Sequence, residues 1–147
     1  MDGRVRHVHS GMPFEKRTPG TARPCYNVHM TAITMEVPDD LARRLSPISA
    51  WLPTVLELSL VGFRTAAVQT ASEIIAFLAT GPSSQDVIDF HVSDRAQQRL
   101  RRLLALQAAG QLSSDEQAEM EEMERTEHIM IMLKGRIRDI LVHEHVD

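Results

Sequence analysis

Glu121, Glu124 and His128 follow one another at steps of three and four residues, which places two carboxylates and an imidazole on one face of a helix. Carboxylate oxygens and imidazole nitrogens are metal ligands, and a further pair, His143 and His145, lies beyond them. A di-metal centre in a helical bundle takes Glu-x-x-His from two helices and one more glutamate from each of two others. Only one helix here is rich in carboxylates, it contains no Glu-x-x-His, and the two late histidines sit where a chain end frays. No metal site and no cofactor are expected. Nucleophile chemistry fares no better. Cys25 is the single cysteine and lies in unpatterned sequence, no Gly-x-Ser-x-Gly occurs, and no Gly-rich phosphate loop is present. The chain is expected not to be an enzyme.

The segments that carry these residues are mostly helical in pattern. Pro38 breaks an alternating stretch, and Asp39 and Asp40 follow it where a helix N-terminus favours negative charge. Leu41, Leu45 and Ile48 then form a short apolar stripe, shortened or kinked at Pro47. A second helix opens at Pro53-Thr54 and carries Val55, Leu56, Leu58, Leu60, Val61 and Phe63. A third is expected over about 65–79, ended by Gly81-Pro82, and a short one over 84–90. Ser93 caps a longer helix that Gly110 stops, and Ser113-x-x-Glu116 is a capping box for the last, which runs to about Leu141. Residues 93–141 therefore read as an αα-hairpin.

Ahead of the helices, residues 1–29 show no apolar periodicity and read as a disordered arm. From 32 to 37 the residues alternate, with Ile33, Met35 and Val37 on one face and Ala32, Thr34 and Glu36 on the other. One short strand cannot satisfy its own N–H and C=O groups, so it calls for a partner strand. The order strand, helix, helix over 32–63, resting on "ITMEVPDDLARRL", resembles the ribbon-helix-helix module. That resemblance implies an antiparallel ribbon made by two copies of the chain, and DNA contact through Thr34 and Glu36 on the ribbon's outer face, with Ser49 and Thr54 as phosphate donors. Glu36 departs from the family's pattern, since a carboxylate accepts only from cytosine N4 and repels phosphate. Joined to a long acidic hairpin, the arrangement is similar to short bacterial antitoxins, in which an N-terminal part dimerises and a C-terminal part covers a small toxin. The fold expected is thus mainly α, with one N-terminal strand, a 30–82 dimerisation region and an 83–147 helical hairpin that binds a partner. A helical scaffold or adaptor with no DNA role is the alternative.

The last helix marks where a partner would sit. Met120, Met123, Met130, Ile137 and Leu141 share one stripe, yet "IMIML" at 129–133 is apolar all round. A helix apolar on two sides is buried on two sides, either by the 53–79 helices or by a partner. Met123, Ile129, Met130, Met132 and Leu133 are the partner-surface candidates, because flexible thioethers adapt to an imposed shape. Acidic residues crowd the helix start, and Arg95, Arg99 and Arg102 form one stripe on the preceding helix, where an antiparallel hairpin brings them opposite.

The 147 residues suit one domain with a tail, and the low aromatic content of 4% favours helix over sheet. Residues 1–30 hold five Lys/Arg against two Asp/Glu, a net of +3, whereas 31–147 hold eleven against eighteen, a net of −7. An acidic body suits a small basic protein partner and disfavours non-specific nucleic-acid binding, which depends on neutralising phosphates. With one cysteine, no apolar run long enough to span a bilayer and no secretory signal, the expected location is cytoplasmic, away from membranes.

Overall fold

The computed structural model describes residues 29–144. The chain divides into two units, 1–35 and 36–147. The arm expected over 1–29, Cys25 and His145 fall outside the described residues, save for His29. Residues 29–38 carry no regular secondary structure, and no strand occurs among the described residues. Ile33 is 82% exposed and Met35 is exposed as well.

From Pro38 onward the described chain is helical, in the expected order. Helix α1 spans Asp39–Leu45, a 3-10 turn covers Ser46–Ile48, α2 spans Leu52–Ser59, and α3 spans Ala67–Leu78. Helices α4 (Ser84–Asp89), α5 (Asp94–Ala108) and α6 (Ser114–Glu144) follow. Helix α1 buries none of its residues, so of the expected Leu41, Leu45, Ile48 stripe only Ile48 enters the core. The hydroxyls that signal helix starts do so here. Ser83 and Asp86 form a reciprocal capping box, Ser93 Oγ accepts from the Ala96 N–H, and Ser113 and Glu116 cap the start of α6.

Helix α2 stops at Ser59, four residues short of the Phe63 that its apolar pattern suggested. Gly62 adopts a left-handed φ of +71°, which ends the helical run and turns the chain toward α3. Gly81 does the same after α3 at φ +69°, and its missing side chain matters twice. A Cβ there would stand 3.3 Å from the Pro47 carbonyl oxygen. The adjoining Pro82 carbonyl accepts from Trp51 Nε1 at 3.0 Å, fastening this corner to the start of α2.

Helix α6 is the spine. Its 31 residues reach about 46 Å, and α2, α3, α4 and α5 all pack along it. One core gathers Trp51, Leu58, Ile74, Leu78 and Val87 against Ile129, Leu133 and Ile137 of α6. A second joins Ala67 and Leu103 to Met120 and Met123. Each fully buried Leu or Ile here contributes about 1.5–3 kcal/mol. Phe77 and Phe90 stack with centroids 4.2 Å apart, and Lys134 Nζ donates to the Phe90 carbonyl at 2.6 Å, so the loop after α4 is held to α6. Burial lowers the Lys134 pKa and the charge of Arg138 adds to that, against an opposing pull from Asp89. No helix among the described residues is long and apolar enough to cross a membrane.

Candidate functional site: the groove between α2 and α6

The two-sided apolar run of α6 is resolved by packing. Met123, Ile129, Met130 and Leu133 are all buried in the two cores, so four of the five partner-surface candidates are internal. The reason is geometric. Helices on several sides of α6 cover an arc wider than a single hairpin partner would, and that arc takes in both faces of the 129–133 segment. Met132 alone remains accessible, at 43% exposure, with Ile131 exposed beside it.

What stays open is a different face. Glu121, Glu124, Arg125 and His128 on α6 stand across from Glu57 on α2 and from Leu60 and Val61 just after it, lining a shallow, open groove of about 690 Å³ together with Ile129. Leu60 is 84% exposed and Leu56 on α2 is also exposed. Ile131 and Met132 lie three and four residues beyond His128, so they extend the same face of α6 along the helix. Three carboxylates against one guanidinium make the groove acidic, and apolar side chains sit at its edge and beyond its end. Glu121 also accepts a hydrogen bond from Gln117 Nε2 at 3.2 Å, whereas Glu124 and His128 have no partner among the described residues. The face that carries Glu121, Glu124 and His128 is thus real and open, and it gains Glu57. Among the described residues, no three His, Cys, Asp or Glu side chains converge to hold a metal ion.

A buried carboxylate lies directly behind this groove. Glu122, next to Glu121 but facing inward, accepts from the Arg64 N–H at 2.8 Å, the Thr65 N–H at 3.2 Å and the Thr65 hydroxyl at 2.6 Å. The Thr65 hydroxyl oxygen in turn accepts from the Ala67 N–H at 3.2 Å. The loop that follows Leu60 and Val61 is thereby tied to α6, and the first N–H groups around the α3 start are satisfied. Burial alone would raise the Glu122 pKa. The Thr65 hydroxyl, the two backbone N–H donors and the charge of Arg125 outweigh it and hold the group below the usual carboxylate range. On the other side of α6, Glu119 is buried too and takes a two-point bond from Arg99, at 2.8 Å from Nε and 2.6 Å from the terminal nitrogen. The acidic crowd at the start of α6 is therefore part solvated face and part internal clasp.

The residues put forward for DNA contact divide differently. Thr34, Glu36 and Ser49 are exposed. Thr54 is only 2% exposed, in the first turn of α2, so its hydroxyl is closed to a phosphate. Packing against the core turns that side of the first turn inward. Glu57 in the groove and Glu122 behind it are residues that sequence pattern did not single out, and Leu60, read there as part of a helix's apolar set, is instead exposed. Leu60 stands two residues before the turn glycine, a signal that it belongs to a helix end rather than to a core stripe. Glu122 carries no such signal, since nothing local separates it from its six acidic neighbours. Comparison of the chain with protein-family models, with curated proteins and with solved structures finds no match in any of the three.

Proposed function

We propose that this chain is a non-enzymatic regulatory protein that docks a small basic protein in the α2–α6 groove and dimerises through the segment ahead of α1. The observation that carries the reading is the groove itself: Glu57, Glu121 and Glu124 beside a 84% exposed Leu60, in front of a rigidly tied loop. Charge of one sign steers an oppositely charged partner and fixes its register, while apolar side chains that leave water supply the affinity. Leu60, Ile131 and Met132 are the apolar contacts in this reading. An antitoxin-like protein covering a basic toxin is one form of it, and an adaptor without a DNA role is the other. Burial of Thr54 favours the form without DNA.

Dimerisation rests on residues 32–37. Their alternation and the 82% exposure of Ile33 suit a strand completed by the same segment of a second copy, which would satisfy the backbone and cover the apolar side chains together. The docking claim is tested by co-purification from the native host. The wild type is expected to retain a basic protein that Glu121→Lys/Glu124→Lys combined with Leu60→Ser releases. Equal retention by both would refute the groove as the docking site.

A further inference from the structure

On the opposite side of α6 from the groove, the arginine stripe of α5 lines a cleft that the partner reading leaves unused. Its volume is about 440 Å³, and it lies between the first turn of α3, the outer edge of α5 and the Glu119 side of α6. Arg95, Arg99 and Arg102 rise from one face of α5 at steps of four and three residues. They behave differently. Arg99 is clasped by the buried Glu119, which fixes its guanidinium in the wall of the cleft and raises its pKa further. Arg95 and Arg102 have no hydrogen-bond or ion-pair partner among the described residues. Glu73, the other carboxylate on the cleft wall, is already committed to the Ser93 N–H at 2.9 Å and the Ser93 hydroxyl at 2.7 Å. Glu119 is thus taken up by Arg99, while Glu73 bonds neutral donors and keeps its charge; Glu116 at the start of α6 also acts electrostatically on Arg99 and Arg102.

We infer that this cleft binds a small organic ligand bearing two oxyanion groups, of phosphate or carboxylate type, between Arg95 and Arg102. Four physical points support it. The chain carries a net charge of −4, yet this cleft gathers three guanidinium groups against two carboxylates. The two free arginines start about 10 Å apart along the helix, a span their flexible side chains close around a compact dianion. A planar guanidinium fork matches a phosphate or carboxylate at two points, which a solvated lysine face would not do. Finally, Gln69, Thr70 and Gln98 supply neutral hydrogen-bonding groups around the rim, and Ala66, Ala67 and Met123 give the cleft an apolar floor. That mixture of a few directed polar groups over an apolar base is what small-ligand sites share.

Titration of the full chain with pyrophosphate and, separately, with citrate tests this, read by calorimetry and by the Nε–H signals of arginine in NMR. Saturable binding of at least one probe is expected, with the Arg95 and Arg102 signals shifting together; which probe binds more tightly tells phosphate from carboxylate. Arg95→Gln/Arg102→Gln is expected to weaken the better probe by about tenfold or more, since each substitution removes a charge-assisted bond to the ligand. Arg101→Gln, an exposed neighbour outside the cleft, is expected to change affinity by less than about twofold, and unfolding midpoints of both variants check that the fold persists. Shifts that rise linearly without saturation for both probes would overturn the proposal. So would an equal loss in Arg101→Gln, because that is the signature of general charge attraction.

Discussion

Replacing Glu122 by Gln removes a charge from the one carboxylate that ties α6 to the loop before α3, while nearly preserving its shape. The carboxylate accepts three hydrogen bonds, two from backbone N–H groups and one from the Thr65 hydroxyl, at 2.8, 3.2 and 2.6 Å. An amide has one acceptor oxygen, and its NH2 would point a donor at a donor. The hydroxyl can rotate away, but a backbone N–H cannot. One charge-assisted bond is lost outright and the others weaken, so the cost is about 2–3 kcal/mol. For a domain of this size that is a fall of roughly 10 °C in the thermal midpoint. Urea unfolding followed by circular dichroism measures it, with the exposed neighbour Glu121→Gln expected within about 0.5 kcal/mol of wild type. The pH dependence carries a sign. Folding holds the Glu122 pKa below its ordinary value, so its stabilisation is complete above about pH 5.5 and fades as pH falls past about 4.3 toward the lowered folded value. The gap between wild type and Glu122→Gln should therefore narrow on acidification. A variant as stable as wild type at pH 7, or a gap that stays constant down to acid pH, would refute the clasp.

Leu58→Ala, at a fully buried site in the main core, is expected to cost about 2–5 kcal/mol by urea unfolding. Gly81→Ala, at φ +69° with the Pro47 carbonyl 3.3 Å from the new methyl group, is expected to lose at least about 1 kcal/mol in the same assay, whereas Gly135→Ala in the middle of α6, where a Cβ meets nothing, is expected to be neutral or stabilising. Ile33→Asp is expected to convert a dimer to a monomer in light scattering without changing helical content, and a mutant that remains dimeric would remove the shared ribbon from the account.

The helical order was legible because its punctuation is chemical and local. Ser93, the Ser113–Glu116 box, Gly110 and the Gly81-Pro82 pair each act within one turn of themselves, and the structure uses all of them as the sequence implies. The inward or outward sense of a residue on a long helix is not local. The 129–133 run is apolar all round, and only the count of helices that pack on α6 decides that Ile129, Met130 and Leu133 go inside while Met132 does not. Thr54 follows the same rule: whether a hydroxyl near a helix start faces solvent or the core depends on what lies across from it. Glu122 shows the limit most clearly. It is one of seven acids between 115 and 127, and its three donors come from residues nearly sixty positions earlier in the chain. The groove inherits that limit, since Glu57 and Leu60 face Glu121 and Glu124 only through the packing of α2 against α6.

The most direct test of the docking face places a photo-crosslinking amino acid at Leu60, at Met132 or, as a control on another surface, at Arg101, with the full chain expressed in its native host. Crosslinked proteins are identified by mass spectrometry. The same basic protein is expected from Leu60 and Met132, not from Arg101, and its yield is expected to fall several-fold when Glu121→Lys and Glu124→Lys are added. Crosslinks that appear equally at Arg101, or that survive the charge reversal undiminished, would contradict the assignment of the α2–α6 groove as a partner site.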